Sequence, residues 1–499
     1  MESSQAAKFS LVTWLIIIIA SIGFLFDTYE LLMTPLVAAP AIAELLEVPL
    51  SNPLVTLWVG RLLWIAALCG GIFGLWGGWL VDRFGRKTIM AASIFVYSLS
   101  PFCAAYAQDL ATFIFFRSTT FIGVCVEFVA AITWLAEVFP DKRQKEKWLG
   151  ITQLFASLGG VLVTAVSMWI SQNKDSLPHF GLPLGLGLNS PSVWRYTLMT
   201  GIFPAIPIAL LLPFVPESQV WKERRRAGTL KRPSFAALFS PQLWRVTIVT
   251  TILSACAYGI AFGALQITVA RVTPGLPEMK EPAKAMAPLQ KEAKELNAQL
   301  NGLAKDDPKR PAVLAAIKEN FAKQKPFNDE IKEYADKVQL HQEMGGLVGR
   351  ILLAVLVIVG LKRVLLLKLF QIPLLIMIPL TYFVFFGSGG QTFLLAYALC
   401  GLLTVGQFSY FGEYLPKVFP MHLRGTGGSF ATNVGGRMIG TSMALVTTNI
   451  VAPMLATDPE KGVLPIHVAT AAGYVATAIA LIALVAGLFL PEPKGEVED

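Results

Sequence analysis

A few charged side chains fall inside stretches otherwise too apolar to hold them. Asp27 and Glu30 sit in Phe26-Asp27-Thr28-Tyr29-Glu30, within an apolar run at 11–38. Arg117 and Glu127 lie in a run at 111–138, Arg61 in one at 54–80, Arg350 in one at 345–361 and Arg437 in one at 428–454. An ionisable group in such surroundings costs several kcal/mol unless it is paired or hydrated, so it marks a candidate functional site. Two chemistries are open to this set. A carboxylate can carry a proton when an arginine partner comes and goes, since the arginine itself stays charged. A buried arginine can bind an anion bidentately.

Asp27 and Glu30 are three residues apart and share a helix face. At about 1.5 Å per residue, Asp27 lies roughly 24 Å from a helix start at position 11, beyond the middle of a bilayer. Arg61 and Arg117 come at similar depth. A carboxylate–guanidinium meeting in the outer half of the first bundle is therefore expected. Asp27, Arg117 and Glu127 are the proton-coupling candidates, with a static ion pair as the alternative for the first two. Glu30, nearer the outer surface, is expected to be hydrated or to act at a gate. Arg350 and Arg437 point to an anionic substrate, with helix-to-helix pairing as the alternative.

The elements that must position these groups are membrane helices. The chain has 499 residues, 54% hydrophobic and only 15% charged. Soluble domains run near a quarter charged. Twelve apolar runs approach the roughly 20 residues that span a bilayer. They lie at 11–38, 54–80, 88–108, 111–138, 148–171, 196–215, 243–270, 345–361, 364–386, 392–415, 428–454 and 465–490, the eighth being the shortest. The fold class is thus all-α and membrane-embedded with twelve helices, expected as two pseudo-symmetric six-helix bundles from the repeat between the two halves.

Basic residues cluster in alternate loops: Arg83, Arg86 and Lys87 after run two, Lys142, Arg143, Lys145 and Lys147 after run four, and Arg224, Arg225 and Arg226 after run six. The positive-inside rule puts these loops and both termini in the cytoplasm, with the chain multi-pass in the inner (plasma) membrane. The net charge of +8 reads as this asymmetry, not as a nucleic-acid surface. The domain reading is a first bundle at 1–220, a cytoplasmic linker at 221–242, helix seven at 243–271, an extracytoplasmic helical insert at 272–344, the rest of the second bundle at 345–491 and a tail at 492–499. The insert is dense in Lys and Glu. It is read as two or three amphipathic helices, either a packed hairpin or a lid or partner-docking module.

The halves repeat weakly. Val138-Phe139-Pro140 closes run four and Val418-Phe419-Pro420 closes run ten; Val59-Gly60-Arg61 opens run two and Val348-Gly349-Arg350 opens run eight. Such repeats build midplane sites in transporters.

The most specific motif is Gly78-Trp79-Leu80-Val81-Asp82-Arg83-Phe84-Gly85-Arg86-Lys87. It resembles the signature loop of the major facilitator superfamily, which implies a cytoplasmic conformational latch formed by Gly78, Asp82, Arg83, Gly85 and Arg86. Arg117, Glu137, Pro140 and Arg143 resemble the sugar-porter branch, and Glu127 resembles the acidic residue of metabolite–proton symporters. Glu137 and Arg143 would join the latch. Pro216-Glu217-Ser218 and Arg424-Gly425-Thr426-Gly427 resemble the same branch. By that resemblance Asp27 and Arg117 would be the coupling pair, Gln153 a substrate-binding glutamine and Arg437 an organic-anion-binding arginine. Substrate contacts are thus expected from Gln153, Arg350, Arg437, Glu30 and Arg61. The glutamine-rich helix seven of hexose porters is absent, and Lys417 replaces the usual Glu, so the second latch is expected to be degenerate.

No nucleophile triad, metal-ligand spacing or phosphate loop occurs. An enzyme is not expected, nor a cofactor; the partners expected are a small solute, protons and the bilayer. The best reading is proton-coupled symport of a small organic anion. A sugar or polyol symporter, a drug exporter and a transport-dead sensor remain alternatives.

Overall fold

The computed structural model describes residues 10–48, 53–139, 142–178, 192–228, 234–303, 307–457 and 462–492. Twelve helices among them are long and apolar enough to span a membrane. In chain order they are α1 (Leu11–Leu45), α2 (Pro53–Phe84), α3 (Arg86–Ala104), α4 (Leu110–Val138), α5 (Lys142–Asn173) and α6 (Val193–Phe214). The second set is α7 (Trp244–Gly275), α8 (Arg310–Ile358), α9 (Arg363–Ser388), α10 (Gly390–Val418), α11 (Arg424–Leu455) and α12 (Pro465–Gly487).

Polar caps set several starts. Ser10 Oγ accepts the Thr13 amide at the head of α1, and Asp109 accepts that of Thr112 at the head of α4. Thr112 hydrogen bonds hold the Asp109 carboxyl below its ordinary range. Inside the membrane, apolar composition allows no backbone group to go unpaired, so the helix is the available form.

The two sets pack alike. In the first, α1 lies on α5 and α2 on α4; in the second, α7 lies on α11 and α8 on α10. Across the seam, α2 packs on α11 and α5 on α8. Exchanging the halves reproduces this pattern, which is the pseudo-two-fold expected of repeated bundles. Close helix approach depends on glycine. A Cβ at Gly159 of α5 would fall 1.8 Å from the Leu25 carbonyl oxygen of α1, and one at Gly71 of α2 would fall 2.3 Å from Met438 Cβ of α11.

Helix eight corrects the expected insert boundary. The insert was read to end at 344, yet α8 runs unbroken from Arg310 to Ile358. Its first half is polar enough to hide from hydropathy while keeping one helical register. The insert is therefore one free-standing helix, Lys280–Gly302, laid against a projecting α8. Met279, Met286 and Ile331 form their small shared core, and Asn320 Nδ2 reaches Leu289 O at 3.1 Å. The projection also touches the first bundle: Lys174 pairs with Asp329 at 2.5 Å, and Lys332 donates to Ser167 at 3.1 Å.

The repeat of Val-Gly-Arg is corrected too. Arg61 lies near the start of α2, whereas Arg350 lies near the end of α8, so the two arginines sit at opposite depths.

Candidate functional site

Asp27 of α1 and Arg437 of α11 meet at the seam of the two bundles. Their side chains are 3.3 Å apart and only 7% and 1% exposed. The surrounding sequence explains the meeting. Gly71 and Gly74 on α2 leave room for Met438 and Asn433 of α11. Gly435, Gly436 and Gly440 let α11 close onto Thr251, Ser254 and Ala255 of α7. The stretch Phe430–Gly440 is wound as a π-helix, a form that recurs at functional sites. Asn433 pins it by donating to Cys125 O at 3.1 Å.

Arg350 adds a second positive charge. It is buried and donates to Ser409 of α10 at 3.1 Å. Glu127 of α4 is fully buried near Asp27 and Arg437; among the described residues neither of its oxygens has a hydrogen-bond partner. Aromatic rings enclose the charges. Arg437 lies over Phe128 at 5.4 Å, and Tyr258 stacks against Phe262 and meets Phe408 at 4.6 Å. The core thus offers two guanidiniums, a ring-lined wall and more carboxylates than paired partners.

The expected Asp27–Arg117 pair does not form. Arg117 instead faces Glu30 at 3.8 Å and donates to Glu30 O and Thr34 Oγ1. Glu30 lies about 60° round and about 4.5 Å further along α1 than Asp27, and that offset brings it to Arg117 while Asp27 meets Arg437. Nor is Glu30 at a wet outer surface: it is fully buried, and a Cβ at Gly201 of α6 would fall 2.5 Å from its Oε1. Arg61 is not in the core either. Its side chain is exposed over the Trp58 ring, because its face of α2 turns away from the seam. Gln153 and Arg143 lie on α5, but their side chains fall outside the described residues.

The latch residues do come together. Asp82 Oδ2 accepts from the Thr426 amide and hydroxyl of α11 at 3.2 and 3.0 Å. Arg86 Nη2 reaches Glu137 at 2.8 Å and its Nη1 donates to Val81 O. Ser218 donates to Glu137 at 2.6 Å. Gly85 has φ 109°, a conformation that disfavours a side chain, and a Cβ there would also strike Glu217. Gly78 brings α2 against α11, where a Cβ would fall 2.8 Å from Gly425 O. Arg83 stands outside this network, exposed over Trp79 at 4.8 Å.

Three features were missed in the sequence. Glu217 accepts the Arg86 and Lys87 amides at the start of α3, and Glu492 likewise accepts those of Arg363 and Val364 at the start of α9. A carboxylate there satisfies orphan donors and the helix dipole. The repeat Phe214-Val215-Pro216-Glu217 and Phe489-Leu490-Pro491-Glu492 was the available signal. The second latch is also built, not degenerate: Glu413, one turn before Lys417, takes Arg363 at 2.7 Å and pairs with Lys417. The acid has moved along the helix. Glu343 was missed because it fell inside the expected insert.

Twelve spanning helices in two repeated bundles, with a charged core at their seam and a latch at one end, define a polytopic membrane transporter. The chain belongs to the Major Facilitator Superfamily, whose family model matches residues 9–282. That family comprises transporters and not enzymes. The chain is 26% identical over 200 residues to the niacin transporter of Acinetobacter baylyi, a match covering 40% of each chain. It is 27% identical over 188 residues to the cis,cis-muconate transport protein of the same organism, covering 35% of this chain and 41% of that one. The match thus spans less than half the length of either relative. In fold it is similar to the partially occluded, inward-open xylose transporter of E. coli, with TM-score 0.64, 16% identity and coverage of 98% and 100%.

Proposed function

We propose that the chain carries a small, flat organic anion together with protons by alternating access, with the latch end and both termini on the cytoplasmic side of the inner membrane. The observation that carries this reading is the buried contact of Asp27 in one bundle with Arg437 in the other. Rocking the bundles makes and breaks that pair, so charge at the seam is tied to conformation. The guanidiniums of Arg437 and Arg350 suit a carboxylate, and the Tyr258, Phe408 and Phe128 rings suit a planar body. The two relatives described above, a niacin transporter and a cis,cis-muconate transport protein, agree with that chemistry. Asp27 and Glu127 carry the proton in this reading. Glu30–Arg117 is a second, buried pair within the first bundle that holds α1 to α4.

Counterflow tests the substrate class. Purified protein in liposomes preloaded with unlabelled niacin or cis,cis-muconate is expected to draw in the labelled compound, above protein-free liposomes. Arabinose is expected to give no exchange. Sugar exchange without carboxylate exchange would replace this reading by a sugar porter.

A further inference from the structure

The contact of α5 with α8 across the two bundles is polar along its length. On α5, Ser157, Gly160, Thr164 and Ser167 fall three and four residues apart and share a face; all four are buried. On α8, Lys332, Asp336, Gln339 and Glu343 repeat that spacing in the opposite direction. The two faces meet. Lys332 donates to Ser167 at 3.1 Å, and a Cβ at Gly160 would fall 2.2 Å from Glu343 Oε2. Ser157 Oγ, Asp336 Oδ1 and both amide atoms of Gln339 have no hydrogen-bond partner among the described residues, although these three side chains belong to residues at most 1% exposed. Burying such groups unpaired is costly, and parting the helices returns them to water. The closed contact is thus biased towards opening, and something must hold it shut.

The holding contacts lie further out. Asp329 is roughly 44 Å along α8 from Ile358, more than the roughly 30 Å of a bilayer's hydrocarbon. There it pairs at 2.5 Å with Lys174, which follows the end of α5 at Asn173. About one turn nearer the membrane, Asp336 holds Lys332 at 2.8 Å as it reaches Ser167. The arm that carries Asp329 and Lys332 is stiff. It is continuous with the spanning part of α8, and the helix Lys280–Gly302 braces it. In that brace the buried Asn320 donates to Glu292 at 2.8 Å, and Gln324 donates to Asn320 at 2.6 Å. At the root, Glu278 accepts the Gly390 amide at the start of α10. The arm therefore belongs to the second bundle and reaches the first at α5. Its ion pair is partly open to solvent, with side chains 23% and 39% exposed. Such a pair is weak and screened by salt, which suits a contact that parts in every cycle.

We propose that the projecting half of α8 is an outer clasp. Through Lys174–Asp329 and Lys332–Ser167 it fastens the second bundle to α5, and both contacts break whenever the outer end opens. This rests on the alternating-access reading above, with the latch end cytoplasmic. The two ends are then held differently, by a buried latch inside and by a salt-sensitive clasp outside. The ionic strength of the outer medium thereby sets how readily the outer end opens.

Ser157→Cys places a thiol in the polar strip. Its modification by a membrane-impermeant methanethiosulfonate added to intact expressing cells, read by mass spectrometry, reports the open outer end. Thr164→Cys is the second probe should the first variant fail to fold. In either background Lys174→Glu sets like charges together and is expected to raise the labelling rate about fivefold. Salt at about 0.5 M is expected to speed the parent and not this variant. Exchanging the charges, Lys174→Asp with Asp329→Lys, is expected to return the parent rate. In a second arm, Lys174→Cys and Asp329→Cys are joined by a short reducible bis-methanethiosulfonate before reconstitution. The linked protein is expected to lose labelled-niacin counterflow and to regain it on reduction, with each single variant as control. A labelling rate unmoved by Lys174→Glu, or counterflow unhindered by the linker, would make the arm an appendage and overturn the clasp while leaving alternating access intact. Labelling that follows the clasp in a protein that exchanges no niacin would support the clasp and remove the organic-anion reading. Niacin exchange with neither probe thiol labelled would place the outer opening elsewhere and overturn the clasp. Neither labelling nor exchange would remove both.

Discussion

Arg437→Ala is expected to abolish carboxylate transport and to lower the stability of the whole protein. The substitution leaves Asp27 buried at the bundle seam without the guanidinium that lies 3.3 Å away. Removing one member of a buried pair costs about 3–5 kcal/mol, most of it the cost of the orphaned charge. The same change removes the ion that lies over the Phe128 ring. Arg437→Lys keeps a charge but loses the planar fork, so it is expected to fold and to transport at a rate reduced by about tenfold or more. The double change Asp27→Asn with Arg437→Gln separates the two effects. It removes both charges and is expected to regain thermal stability without regaining proton-coupled uptake. Thermal unfolding in detergent beside initial uptake rates in liposomes measures both. Equal transport in Arg437→Ala and wild type would mean that the seam pair is a packing contact.

The second large effect belongs to the latch. Arg86 spans Glu137 at 2.8 Å, Asp82 at 3.5 Å and the Val81 carbonyl, all with little solvent access. Arg86→Ala therefore strips two buried carboxylates of their cation at once. Asp82 is the group that holds α2 to α11 through Thr426, so the closed end is expected to fall open. Cys125 reports on this. It is fully buried, and the Asn433 amide that bonds its carbonyl lies at the α2–α11 seam. Its modification by a small maleimide, read by mass spectrometry, is expected to rise at least about tenfold in Arg86→Ala, the factor that about 1.4 kcal/mol of lost closure would give. Transport is expected to fall in parallel, because a carrier that cannot close one end cannot alternate. An unchanged Cys125 rate would place Arg86 outside the closing mechanism.

Which parts were legible in the sequence follows from what each signal depends on. Helix count came from apolar length, a local property, and twelve spans are found among the described residues; only the start of the half-polar α8 was misplaced. The latch was legible because Gly78, Asp82, Gly85 and Arg86 serve a tight, charged turn, and those requirements act over a few residues. The pairing of buried charges was not legible. Depth along a helix could be read from residue number, but rotation about the helix axis could not. That rotation sends Arg117 to Glu30 and Arg437 to Asp27, and turns Arg61 out of the core. Glu343 was hidden by a boundary error, and Glu413 by the expectation that the second latch would keep its acid in register. The repeated Pro-Glu caps at Glu217 and Glu492 were legible but unread; each needs only the carboxylate and the free amides of the next helix start.

The central claim is that a carboxylate and a proton cross together through the Asp27–Arg437 seam. Its most direct test is the pH of a lightly buffered suspension of de-energised vesicles containing the protein, after addition of niacin, against protein-free vesicles. The account predicts alkalinisation of the medium that requires the protein and is lost in Asp27→Asn. Labelled niacin entering with no pH change, at the same rate in Asp27→Asn, would contradict it.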